Sequence, residues 1–270
     1  MAAILPKVPE ISMHRKKFLV PAVLIMTILL AGIAAYSVSR LGPGNNSTCN
    51  AQSSSNQSNY IANGGFENRS SYWSLTSNND TAIVTAADFH CGMHALELIT
   101  LQNRNSSFVG LTQWTNLSGC STAFERFGLP MMHGLQLSIW YKTLNESNNR
   151  FGITVTFHNS TSKLTILYLL AFKGVPQANL VDPNLAAGRV NVVINSSGPT
   201  WRQATFDLYN DFVKYFGVDP LARHYCVNYV ALWQMPLSDN QGGMASVSYV
   251  PGSRSICFLD DVELRLVSGN

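Results

Sequence analysis

Along residues 95–267 apolar and polar side chains alternate, and a period of two marks strands with one buried face. Leu135, Leu137, Ile139 and Tyr141 fall on one face of Gly134–Lys142, and Phe151, Ile153, Val155 and Phe157 share a face in the next such segment. Ala95–Ile99, Val190–Ile194, Ala204–Leu208, Val227–Trp233 and Ile256–Val267 repeat the pattern, with Gly, Asn and Ser clusters between them. Many short strands without long helical periodicity predict an all-β fold, an antiparallel β-sandwich of the jelly-roll kind over residues 59–270. Leu208–Phe216 is a segment that reads as a short helix. About 210 residues bury an ample core without help from a metal or disulfides.

Residues 18–39 follow a different rule. They run for 22 residues without a charge, FLVPAVLIMTILLAGIAAYSVS, and about 20 apolar residues in a helix cross a bilayer core. Pro21 falls in the first helical turn, where a missing N–H costs little. His14, Arg15, Lys16 and Lys17 precede the run and only Arg40 follows it closely. This predicts a single-pass anchor in the cell membrane, with the N-terminus cytoplasmic and the C-terminal domain extracellular. The organisation is then a basic tail over 1–17, one transmembrane α-helix over 18–39, a flexible stalk over 40–58 rich in Gly, Pro, Ser, Asn and Gln, and a domain over 59–270. A cleaved signal peptide ending near Gly32-Ile33-Ala34 is the alternative, but the run exceeds an ordinary signal core of about 7–15 residues. A prepilin-type leader is a further one; the small residue and acidic position expected after Lys17 are missing.

Charge is scarce: 12% of residues are charged, against about 25% in soluble domains. The net charge of +3 belongs to the first 39 residues, because residues 40–270 carry 14 Lys+Arg and 14 Asp+Glu. A nucleic-acid partner would need a net basic surface, so none is expected. Ten Asn-x-Ser/Thr sequons stand beyond the apolar run, at Asn45, Asn46, Asn56, Asn68, Asn79, Asn105, Asn116, Asn145, Asn159 and Asn195. In an exported chain these are glycan acceptors, and glycans would supply the solubility that charges usually supply. The five cysteines, Cys49, Cys91, Cys120, Cys226 and Cys257, also lie beyond the run, where disulfides persist. Of the possible pairings, Cys91–Cys120 and Cys226–Cys257 are expected, because each pair flanks neighbouring strand patterns. Cys49 is left to link two copies into a homo-oligomer or to stay a free thiol.

Two ends of the domain carry a family likeness. Asn63-Gly-Gly-Phe-Glu67 is followed by Trp73, then Gly92-Met-His-Ala-Leu-Glu-Leu98, Gln113, Leu137-Ser-Ile-Trp-Tyr-Lys142, Trp201 with Phe206-Asp-Leu208, and Phe258-Leu-Asp-Asp-Val-Glu-Leu264. This ordered set resembles the galactose-binding-like jelly rolls, in particular the carbohydrate-binding modules attached to glycanases. The chain departs from them in added length around residues 172–200, 209–224 and 236–255, and in having no attached catalytic domain. The resemblance implies a structural calcium ion (Ca2+) joining the opening and closing strands. Its ligands would be Glu67, Asp260 or Asp261, and Asp88 from the loop before Gly92. Calcium takes six to eight oxygen donors and would neutralise these carboxylates; the competing reading is that Glu67 and Asp260 hydrogen-bond loop backbone or pair with Arg.

A sugar face stacks on Trp or Tyr beside polar groups that fix its hydroxyls. Trp73, Trp114, Trp140, Trp201 and Trp233 are the candidates. Trp140 shares a strand face with the polar Gln136, Ser138 and Lys142, which makes Trp140, Gln136 and Lys142 the candidate carbohydrate contacts; the alternative is a second core layer beneath a long loop. Trp233 shares a face with Tyr229 and Val227 and reads as core. There is no Gly-x-Ser-x-Gly elbow, P-loop or Gly-x-Gly-x-x-Gly. His90 and His94 have helical metal-site spacing, but Gly92 and the strand pattern after it oppose a helix. Glu97, Glu125, Glu146 and Glu263 read as solvated. The expectation is therefore a membrane-anchored glycoprotein, not an enzyme, whose sandwich binds a glycan or a cell-surface glycoprotein for adhesion or capture, through an exposed aromatic on a face free of sequons. The alternative is a structural subunit of an envelope or appendage that self-associates through the sandwich.

Overall fold

The alternating segments form strands that close two sheets over one core. The structure, a computed structural model, describes residues 59–78, 80–101, 108–115, 120, 128–144, 149–172, 181–184, 188–194, 198–236 and 254–267. The tail, the apolar run, the stalk, Cys49 and the sequons at Asn45, Asn46, Asn56, Asn79, Asn105, Asn116, Asn145 and Asn195 lie outside the described residues. Among the described residues no helix is long and apolar enough to cross a membrane. The chain divides into two units, 1–44 and 45–270, and the fold below is that of the second.

The strands are β1 Ser74–Asn78, β2 Thr81–Thr85, β3 Ala95–Leu101, β4 Phe108–Trp114, β5 Leu129–Pro130, β6 Leu135–Leu144, β7 Asn149–His158, β8 Lys163–Phe172, β9 Val181–Asn184, β10 Arg189–Val193, β11 Arg202–Asp207, β12 Cys226–Pro236 and β13 Arg254–Leu266, with one helix, α1, at Leu208–Phe216. One sheet has five strands in the order β11-β6-β13-β3-β2. The other has the order β1-β4-β12-β7-β8-β10-β9, with β5 paired to β12. The expected all-β sandwich is present, with one departure: β10 runs parallel to β8, because the β9–β10 hairpin brings the chain back in the same direction.

The predicted faces hold. Leu135, Leu137, Ile139 and Tyr141 of β6 and Phe151, Ile153, Val155 and Phe157 of β7 are all buried in the core between the sheets. Tyr141 meets Phe151 at 5.8 Å, and Tyr168 of β8 stacks on Phe206 of β11 at 3.9 Å. The helix forms as read. Asp207 caps its N-terminus by accepting the Asn210 N–H, and Gly217 ends it at φ 68°, a conformation that costs glycine nothing. Phe212 then closes one end of the core against Phe157 and Tyr225.

Three expectations are corrected. The opening segment 63–67 is a series of turns rather than a strand. It still runs beside β13: Tyr60 N–H donates to Leu264 O at 2.7 Å and Val262 N–H to Gly64 O at 3.1 Å. Bulges in β12 after Val227 and in β13 after Asp260 shift the register, so Val227 no longer shares a face with Tyr229 and Trp233, although Trp233 is buried as expected. The disulfide pairing also differs. Cys120 bonds to Cys226, closing a separation of 106 residues, and Cys91 is in a disulfide of its own. Cys257 is a free, buried thiol on the core face of β13, where its Sγ donates to Gln234 Oε1 at 3.0 Å. Cys226 starts a strand of the other sheet, which is why the two do not meet.

Gly64 sits where any Cβ would overlap the Val262 carbonyl, whereas a Cβ on Gly65 would meet Asp261 Oδ1 at an ordinary 3.5 Å. Gly64→Ala is therefore expected to lower the melting temperature by about 5–10 °C, and Gly65→Ala by less than about 2 °C. Thermal denaturation of the two variants checks this.

Candidate functional site

Each sheet has an outer face, and each outer face carries tryptophan. On the five-stranded sheet the outward row of β6 is Gln136, Ser138, Trp140 and Lys142, as the alternation predicted. The segment 86–94 lies over this row and is tied down by carboxylates. Asp260, fully buried, accepts the N–H groups of His90 and Cys91 on Oδ2, each at 2.9 Å, and that of Asp261 on Oδ1 at 2.8 Å. Asp261 Oδ2 meets His90 Nδ1 at 2.9 Å. Glu67 Oε1 accepts the N–H groups of Met93 and His94, and its Oε2 meets His94 Nδ1 at 3.1 Å. Asp88 pairs with Lys142 and accepts the Trp201 indole N–H.

The four predicted calcium ligands thus all fall at one end of the five-stranded sheet, but not as an ion site. Two neighbouring carboxylates point to the same side because Asp261 adopts φ 47° within the bulge, instead of alternating across the strand. The groups facing the oxygens of Glu67, Asp88 and Asp260 are N–H and ammonium donors, whereas calcium requires oxygen donors. Among the described residues no three His, Cys, Asp or Glu side chains gather so as to hold a metal ion. The donor set therefore does not fit calcium.

The electrostatics follow from burial. Burial, then the neighbouring Asp261 charge, push the Asp260 carboxyl up to about 8 against the opposing pull of its backbone donors. Burial also pushes Glu67 up, but the Met93 and His94 donors outweigh it and leave that carboxyl below its ordinary value. Burial brings the Lys142 ammonium down to about 8; it lies 5.4 Å over Trp201 and 5.0 Å over Phe258. Glu97, expected to be solvated, is buried.

This arrangement occupies the predicted sugar face. His90 stacks on Trp140 with ring centroids 3.7 Å apart and planes within 12°. Lys142 is only 8% exposed. Gln136 remains half-buried at the far end of the row. Trp140, Gln136 and Lys142 therefore lie on one row, but the stacking surface of Trp140 already holds an imidazole.

The eight-stranded sheet offers an open aromatic instead. Trp114, at the end of β4, is 45% exposed and lies 5.1 Å from Tyr229 of β12. The register lines up Trp114, Tyr229, Thr156, Thr165 and Arg189 across five strands. The next row is Thr112, Ala231, Thr154, Leu167 and Asn191. Lys163 Nζ sits 5.3 Å over the Tyr229 ring. Trp233 follows in a third row, between Gly110 and Gly152, where it is 5% exposed and donates its indole N–H to Thr154 Oγ1 at 2.8 Å. Small side chains thus floor a face bounded by aromatics. The sequence placed Trp114 among five candidates, but its partner Tyr229 was hidden, because the alternation put it in phase with Val227 and the β12 bulge moves it to the other face.

Two predictions follow from the carboxylate-tied segment. Millimolar calcium or a chelator is expected to move the melting temperature by less than about 1 °C, whereas a bound structural ion would raise it by several degrees. An unfolded aspartate titrates near 4, so between about pH 4 and 8 the folded protein retains a proton on Asp260 that the unfolded chain releases, and stability falls as pH rises through that window. Asp260→Asn is expected to flatten that slope while lowering stability overall, as read by melting temperature against pH.

A comparison with protein-family profiles gave no match, and neither did one with curated proteins. Among solved structures, a carbohydrate-binding module of the β-sandwich superfamily is similar at 11% identity and a TM-score of 0.41, over 74% of this chain and 60% of that one. The chain thus spans less than two thirds of that structure, and under a quarter of a phage tailspike enzyme and a β-1,2-glucanase that it also matches. A xylan-binding domain from Paenibacillus barcinonensis is similar at 9% identity and a TM-score of 0.37, over 76% of this chain and 98% of that one. Family 12 glycoside hydrolases are similar at 10% identity and a TM-score of 0.40, over 72% of this chain and 100% of that one.

Proposed function

We propose that this protein binds a neutral glycan, without cleaving it, on the outer face of the eight-stranded sheet. The observation that carries the reading is Trp114, a large aromatic left open beside Tyr229 on a polar, small-residue sheet face. An apolar sugar face stacks on such rings, and hydroxyls of Thr112, Thr154 and Thr165 with the Lys163 ammonium supply hydrogen bonds to its edge. Glycoside hydrolysis places two carboxyl groups across the scissile bond; the rows across β4, β12, β7, β8 and β10 carry no Asp or Glu, and among the described residues only Asp182 on the edge strand β9, opposite Asn191, is an acidic residue in register with them. The carboxylates of the opposite sheet hold backbone in place. Carried by an anchor over residues 18–39, the domain would capture glycans or glycoproteins at the cell surface.

Asn116 stands two residues beyond Trp114 in the chain and lies outside the described residues. Asn159 has its side chain engaged in the β7–β8 turn, accepting from Thr161 and Ser162 and donating to Arg223 O at 3.1 Å. Asn68 is exposed and is the more accessible acceptor of the two.

The test is a glycan array probed with the full chain produced without glycosylation. Selective binding to neutral oligosaccharides is expected, weakened about tenfold or more in Trp114→Ala and retained in Trp140→Ala. Absence of binding, combined with self-association that Trp114→Ala abolishes, would instead make the face a contact between copies and overturn the reading.

A further inference from the structure

A cavity lies at the open edge of the sandwich, away from the Trp114 face. There β11, the last strand of the five-stranded sheet, faces β10 of the other sheet across a gap that α1 closes at one end. The gap is a cavity of about 340 Å³, within the range of about 300–1,000 Å³ of small-ligand sites. Its floor is aromatic: Tyr168 stacked on Phe206, with Tyr141 alongside. Its rim carries Asp211 and Lys214 from α1, and the edge of β11 at Gln203 and Thr205, whose side chains follow the outward row of β6, runs beside it.

The polar groups divide into those already used and those left over. Asp207 is consumed as the helix cap, accepting from Asn210 on both oxygens. The Tyr168 hydroxyl, deeply buried, donates to Asp211 Oδ2 at 2.8 Å. Burial and the Asp211 charge push that phenol well above its ordinary range, so it stays a donor. Among the described residues no group takes the other Asp211 oxygen. Lys214 Nζ stands 5.1 Å over the Tyr215 ring at the same rim. One carboxylate oxygen and the Lys214 ammonium, which also bonds the Tyr215 hydroxyl, thus stand above an aromatic floor.

We propose that this cavity binds a single neutral pyranose, free or at a chain end. The argument is one of complementarity. A sugar hydroxyl both donates and accepts, so a vicinal pair matches an acceptor carboxylate beside a donor ammonium. The ring's apolar face matches the aromatic floor. An anionic sugar would meet Asp211 and Asp207, and an organic cation would meet Lys214, so neither fits as well. Asp211 and Lys214 belong to 209–224, a segment that lengthens this chain relative to the modules it resembles. The choice of a sugar as ligand rests on the glycan-binding reading; the site itself does not.

The experiment is saturation-transfer NMR on the full chain with glucose, galactose, mannose, xylose, N-acetylglucosamine, glucuronic acid and choline. At least one neutral sugar is expected to bind with millimolar affinity, and glucuronic acid and choline are not. Lys214→Ala removes the exposed rim ammonium and is expected to weaken binding about tenfold while moving the melting temperature by less than about 2 °C. Asp211→Asn is expected to weaken it about tenfold. Trp114→Ala is expected to leave it unchanged. Failure of every neutral sugar, preference for choline, or binding that survives both Asp211→Asn and Lys214→Ala would overturn the pocket. Loss of monosaccharide binding in Trp114→Ala alone would also overturn it, while leaving the sheet-face reading standing. Array binding that ignores Trp114 would overturn the sheet face and not the pocket.

Discussion

The bulge at Asp260 in β13 is the constraint on which the arrangement of the five-stranded sheet depends. Fully inside the protein, the Asp260 carboxylate takes three backbone N–H groups, each of which would cost about 1–3 kcal/mol if buried without a partner. The same bulge turns Val262 toward the opening segment, whose Gly64 carbonyl accepts its N–H and whose lack of a side chain permits that approach. One irregularity therefore fixes the chain's opening turns and the segment 86–94. Gln113 completes the tie, bonding both backbone groups of Ala62 and so joining the opening turns to β4 of the other sheet.

Fixing that segment decides which sheet face remains open. Once His90 stacks on Trp140 and Asp88 pairs with Lys142, the outer row of β6 becomes a second packed layer rather than a surface for a ligand. Desolvation of Lys142 is offset by the Asp88 charge and by the Trp201 and Phe258 rings that flank it. On the other sheet nothing comparable among the described residues covers Trp114. The division of labour is physical: one face contributes stability through buried polar ties, and the other keeps exposed aromatic area that contributes no folding energy until something stacks on it.

The strands with one buried face were legible in the sequence, because alternation reports burial directly. The helix was legible too, from its flanking Asp207 and Gly217 and the apolar Leu208 and Phe212 that it buries. What escaped was whatever breaks the period. Strand β8 is buried on both faces from Ile166 to Leu170 and so reads as a plain apolar run. A bulge reverses the faces downstream of it, which moved Tyr229 out of phase with Val227 and put Asp260 and Asp261 on one side. The disulfides depended on which sheet each strand joins, and proximity in sequence does not carry that information. Trp140 was correctly placed on an outward row; that His90, fifty residues earlier in the chain, would sit upon it was visible only in three dimensions.

The central claim is that Trp114, and not Trp140, is the stacking residue. The chain has five tryptophans, so its indole N–H groups give a short set of separate NMR signals. The most direct measurement is their displacement on titrating soluble gluco-, xylo- and manno-oligosaccharides into the 15N-labelled protein, with each signal assigned by single substitution. The account predicts that the Trp114 signal moves and saturates while the Trp140 signal, shielded by His90, does not. Movement of Trp140 with Trp114 unchanged would contradict it and return the ligand to the face beneath segment 86–94.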